Sequence, residues 1–138
     1  MRPEPLSCRD DDGERGSAVV DFVLVGVLVV ALLLAVLQVA VYVHLRNVIV
    51  ASAQQGARYA ANVDVPVEAG AARTLEIVGQ ATSAGTAAGL ACESVQEVDD
   101  SGLTLVVVRC VGAVPSLFAP LGDLLPLSAA GRSVAETP

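Results

Sequence analysis

Asp21 is the only charged residue between Arg15 and Arg46, and it stands at the head of a run, Phe22–Leu37, without one polar side chain. An acid at the centre of a membrane helix costs about 2.5–3.5 kcal/mol on insertion scales, and less near the headgroups. Two kinds of chemistry suit such a group. It can snorkel to the headgroup level, or it can pair with a cation held in the same apolar layer. A free amino terminus created just upstream would be such a cation.

The cysteines are the second reactive set. Cys8 lies before the apolar run and reads as an ordinary thiol, whereas Cys92 and Cys110 both lie after it. Glu93–Val98 and Leu103–Arg109 alternate with a period of two and flank Asp99-Asp100-Ser101-Gly102. They read as two strands of a hairpin closed by the loop Asp100–Gly102, with Gly102 in the left-handed region. In that register Asp99 faces Leu103, Val95 faces Val107 and Cys92 faces Cys110. Two small buried thiols are the alternative, but the agreement between turn chemistry and cysteine spacing favours a disulfide, worth about 3 kcal/mol in the chain-entropy model.

Catalytic chemistry finds no purchase. The single histidine, His44, falls where the apolar run ends and reads as an interfacial residue. No HExxH, CxxC pair or glycine-rich phosphate loop is present. Glu93, Glu97, Asp99 and Asp100 gather near the hairpin tip without EF-hand spacing, so a solvated edge is expected there and not a calcium site. Hence no enzyme, no cofactor and no metal site is expected. All eight basic residues are arginines, scattered through a chain of net charge −7, and nucleic acid is excluded as a partner.

The elements that must position these groups begin with a charged leader. Met1–Arg15 holds two prolines, five acids and three arginines, cannot bury an apolar face, and is expected to be disordered. The apolar run from Phe22 to Val43, broken only by Gln38, amounts to about 22 residues or roughly 33 Å as a helix, enough to cross a bilayer. It is too long for a cleaved secretory signal, and the small-residue site Ala51-Ser52-Ala53 comes too late to serve one. The three leader arginines tilt the orientation towards a cytoplasmic amino terminus.

The helical period continues beyond the run. Leu45, Val48, Ile49, Ser52, Gly56 and Tyr59 or Ala60 share one face, with Arg46, Asn47, Gln54, Gln55 and Arg58 opposite, so one helix should extend to about Ala61. Asn62–Pro66 breaks it. A second helix is expected over Val65–Ala81, capped by Asp64, with Val67, Ala71, Leu75 and Val78 buried along a stripe. Thr82–Gly89 reads as a loop or fraying end, and the glycines in general as helix and loop punctuation. Val114–Pro126 carries three prolines and reads as a packed irregular loop. Leu127–Ala135 is a candidate third strand. With no Trp, two Tyr and two Phe, the distal domain has a modest core and needs a staple or a partner.

Glu14-Arg15-Gly16-Ser17-Ala18-Val19-Val20-Asp21-Phe22, followed by the apolar run, resembles the class III prepilin signal of type IV pilins. In particular it is similar to the TadE-like minor pilins, or pseudopilins, of tight-adherence (Flp-type) pilus systems. Leu45-Arg46-Asn47 and Gln55–Ala61 resemble that family's extended helix. The resemblance implies that a prepilin peptidase cuts between Gly16 and Ser17, and that Asp21 and Phe22 set the register between subunits. The family acid is usually Glu, so Asp21 is a methylene shorter.

The expected fold class is α+β: a single-pass, pilin-like membrane protein with a long amino-terminal helix, a short second helix and a small antiparallel sheet. Residues 1–16 would form a cytoplasmic leader, 17–43 the transmembrane helix, 44–61 its amphipathic extension and 62–138 an extracytoplasmic domain. The expected partners are the lipid bilayer of the cytoplasmic (inner) membrane, the prepilin peptidase and other pilus subunits. The function implied is a minor pilin assisting pilus assembly or a related secretion apparatus. The rival is an uncleaved membrane-anchored adaptor.

Overall fold

The computed structural model describes residues 12–114 and 125–136. Most of the leader, including Cys8, and most of the proline-rich stretch therefore lie outside the described residues. The chain divides into two units, Met1–Leu37 and Gln38–Pro138.

In the first unit the described residues belong to α1, which runs Asp12–Ala60. It starts inside the stretch expected to be disordered, at Asp12 and not after Arg15. Extending an existing helix adds one hydrogen bond per residue fixed, without a second nucleation cost, so a long apolar helix carries its flank along. Every residue from Gly16 to Leu33 is exposed. One helix here is long and apolar enough to cross a membrane, with none of its most apolar window buried.

The second unit takes in the rest of α1 from Gln38, together with α2 (Ala69–Ala81), α3 (Ala84–Ala88), β1 (Leu90–Val98), β2 (Thr104–Val114) and β3 (Leu125–Val134). The three strands form one antiparallel sheet in the order β1-β2-β3. Along α1 the buried face is Ile49, Ser52, Ala53, Gly56, Ala57 and Ala60. Tyr59 points outward, which settles the choice between it and Ala60. Against this face pack Val78 of α2, Leu90 of β1, Val108 and Cys110 of β2, and Leu127 and Ala129 of β3. Ala60, Ala61 and Val106 form a smaller cluster beside it.

α1 ends where Asn62 Nδ2 donates to the Tyr59 carbonyl at 3.0 Å, satisfying an orphan acceptor of the last turn. α2 begins at Ala69, later than expected, and Asp64 does not cap it. The N–H groups of Ala69 and Gly70 donate to the Pro66 and Val67 carbonyls, so a backbone turn replaces the side-chain cap. The buried stripe of α2 is also displaced, to Gly70, Thr74 and Val78. Val67, Ala71 and Leu75 are only half-buried. The displacement has a steric cause: a Cβ on Gly56 would collide with Thr74 Oγ1, so the two helices meet through small residues and not through the bulkier apolar ones.

Thr82–Gly89 is not simply a loop. It contains the single turn of α3, whose first residue follows Ser83, and Ser83 Oγ accepts from the Thr86 N–H at 3.1 Å. β1 starts at Leu90 and β2 runs to Val114, both beyond the expected limits. Val114, Leu125 and Pro126, expected within an irregular loop, are strand residues. Pro126 is tolerated because it sits second in an edge strand. The hairpin register is the expected one, with Cys92 opposite Cys110 and Val95 opposite Val107. Gly102 has φ 84°.

Candidate processing and assembly segment

Gly16, Ser17, Asp21 and Phe22 all lie on α1 and are all exposed. Ser17 and Asp21 are four residues apart, one above the other on the same face. With Gly16, Ala18, Val20 and Leu24 they border one shallow groove. A Cβ built on Gly16 meets no atom within 4 Å, so the helix face at that position is uncovered. Phe22 is 79% exposed and lies off that groove. A second groove, lined only by apolar residues such as Val19, Val23, Val27 and Leu28, runs along the next turns. In lipid such a surface associates by close van der Waals packing with another apolar helix, since the hydrophobic effect does not act there. Asp21 is thus a single acid at the rim of an otherwise uninterrupted apolar surface.

Residues 16–58 match the family model of TadE-like proteins.

The TadE-like stretch, just under a third of the chain, opens on Gly16 and closes within two residues of the end of α1. It therefore covers the whole apolar run and nearly all of the buried face of α1. The match is to the family that the residues Glu14–Phe22 and Gln55–Ala61 resemble, and it supports a protein associated with Tad pili. No curated protein and no solved structure matches the chain.

In the second unit Cys92 and Cys110 are joined by a disulfide, with their Cα atoms 4.1 Å apart. Cys110 is buried within the core and Cys92 packs against its edge. The bridge thus pins the base of the hairpin beneath α1. Its far end is fixed by Asp99, whose Oδ1 accepts from the Ser101 hydroxyl at 2.6 Å and from the N–H groups of Ser101 and Leu103 at 2.9 Å. The Ser101 hydroxyl first, and then the Leu103 N–H, hold the Asp99 carboxyl below its ordinary range. The acids at the tip therefore do local turn work. On the outer face Arg109 Nη2 donates to Glu97 Oε1 at 2.6 Å. Among the described residues no three His, Cys, Asp or Glu side chains group as a metal site would.

Sequence reasoning missed the glycine contacts. Gly56, Gly70 and Gly131 are not punctuation but points of close approach. A signal existed for the first of them: Ala53, Gly56, Ala57 and Ala60 place small residues at three- and four-residue steps along one face. Gly131 carried none, because its neighbour is supplied by a helix more than seventy residues away in sequence.

Proposed function

We propose that this protein is a minor pilin or pseudopilin-like component that assists assembly of a tight-adherence-type pilus or a related secretion apparatus. The observation that carries the reading is the TadE-like match on a helix whose apolar surface, from Gly16 through Leu33, is wholly uncovered. In this reading a prepilin peptidase cuts the chain between Gly16 and Ser17 on the cytoplasmic side of the inner membrane. The amine freed at Ser17 is then a cation at the edge of the apolar layer, and Asp21 of a neighbouring subunit neutralises it. Charge pairing sets axial register, while the apolar grooves supply lateral packing. The Cys92–Cys110 disulfide accords with a domain that folds in an oxidising, extracytoplasmic compartment. The protein acts by binding and assembly, not by catalysis.

The test is the intact mass of the membrane-extracted protein from cells that contain the peptidase. The proposal expects a chain that begins at Ser17, and a Gly16→Leu variant that keeps its leader. A wild-type chain that retains Met1–Gly16 would instead favour the membrane-anchored adaptor.

A further inference from the structure

The second unit carries a groove of about 500 Å³ at the end where α1 enters it, lined by Ala40, Val41, His44 and Leu45 from α1 and by Ala81 and Thr86 from the α2–α3 corner. Its floor is apolar. Its rim is polar: His44 on one side, and on the other the paired hydroxyls of Ser83 and Thr86, 3.0 Å apart. Because one of that pair donates to the other, the second hydroxyl hydrogen is not used in that bond.

We infer that this groove is a phospholipid-contact surface, which seats the α2–α3 corner on the bilayer at headgroup level. The inference rests on α1 being the membrane span. Helical rise decides the depth: with Asp21 at one headgroup layer, a hydrocarbon core about 30 Å thick ends some 20 residues later, near Ala40 and Val41. Those two residues are apolar, stand close to the end of the run, and line the groove. The groove therefore opens where acyl chains give way to headgroups, and its gradient from apolar floor to hydroxyl and imidazole rim follows the same direction. Tyr42 agrees with that depth. It is half-buried against the core, its hydroxyl reaches the Pro126 carbonyl, and tyrosine is enriched at the boundary between hydrocarbon and water. A phospholipid offers both halves of the required chemistry, an acyl chain for Val41 and Leu45 and phosphate oxygens for the hydroxyl and imidazole donors.

The chain has no tryptophan, so a single introduced one is a clean depth reporter. Full-length single-Trp variants are reconstituted in phosphatidylcholine vesicles that carry a nitroxide quencher on the headgroup. Ala40→Trp reports the helix itself, Ala81→Trp the corner, and Val98→Trp the hairpin at the opposite end of β1. The expected result is that Ala81→Trp loses emission as strongly as Ala40→Trp, while Val98→Trp keeps its own. Thr86→Trp serves as the second corner reporter if Ala81→Trp does not fold. Quenching of Ala40→Trp with the corner reporter as bright as Val98→Trp overturns the seat and leaves the span standing. If Ala40→Trp is not quenched either, the span at this depth fails and the seat with it.

Discussion

Gly131 of β3 lies directly against Ala53 of α1, so closely that a Cβ at position 131 would fall on the Ala53 carbonyl and the Gln54 nitrogen. The contact is between two backbones, not between a side chain and a pocket. It lets the edge strand reach the helix, where Gln54 Oε1 accepts from the Arg132 N–H at 3.3 Å. The outward-facing amide of an edge strand is thereby given a partner inside the same molecule.

Gly131→Ala should therefore be among the most damaging small substitutions in the domain. A backbone cannot yield as the end of a flexible side chain can, and overpacking of this kind costs about 1–3 kcal/mol or more. Urea unfolding of the detergent-solubilised full-length protein is the measurement. Gly16→Ala, whose Cβ meets nothing, should leave the same transition unmoved.

Replacing both Cys92 and Cys110 by Ala removes a bridge between residues 18 apart in sequence, and the chain-entropy model assigns it about 3 kcal/mol. The unfolding midpoint should fall, and it should fall equally when the wild-type protein is reduced. A variant as stable as the oxidised wild type would mean that the packing of Leu90, Val108 and Leu127 holds the hairpin unaided.

The turn at Asp99 makes a pH prediction. Its folded carboxyl titrates below the ordinary value of 3.8, held down by the Ser101 hydroxyl and the Leu103 N–H. A depressed folded value means that the carboxylate's contribution is complete above the unfolded value and disappears as the pH falls through the folded one. Asp99→Ala should thus lower stability at neutral pH, while the gap to wild type narrows below about pH 4. Acid titration followed by unfolding of both proteins checks it; a gap that stays constant to low pH would contradict it.

Arg109 and Glu97 present the contrary case. Their side chains are 40% and 42% exposed, so solvent screens the pair despite its short distance. Glu97→Gln should cost no more than about 1 kcal/mol. Val107, two residues before Arg109 on β2 and fully buried, should cost more when cut to Ala, because buried methyl groups are lost and a residual cavity is left.

At Asp21, insertion and assembly should respond in opposite directions. Asp21→Val makes the helix more apolar and should insert at least as well as wild type, whereas the proposed function expects co-purification with pilus subunits to be lost. Asp21→Glu restores the charge and should restore that interaction. Equal co-purification of the Val variant would remove Asp21 from subunit registration.

Much of this molecule was legible in the linear chain, and the reason is that the informative interactions are local. A stretch as long and apolar as Phe22–Val43 reads as a helix able to cross a membrane from length and composition alone. Asp100–Gly102 determined the hairpin register, since a turn that needs a left-handed residue accepts Gly102 there, and the period of two then carried Cys92 to Cys110. The inward face of α1 through Ile49, Ser52 and Gly56 could likewise be read at helical spacing, while the choice between Tyr59 and Ala60 was left to the packed structure. Tertiary structure decided what depends on distant neighbours. The stripe on α2 moved to Gly70 and Thr74 because Gly56 of another helix comes close enough to exclude larger side chains. Gly131 looked like punctuation until Ala53 stood against it, and Pro126 entered a strand because that strand lies at an edge. The groove between Val41 and Ala81 also joins segments that no period connects. Chain-local patterns record which face a residue turns inward, but only the packed fold determines how near the opposing backbone will be.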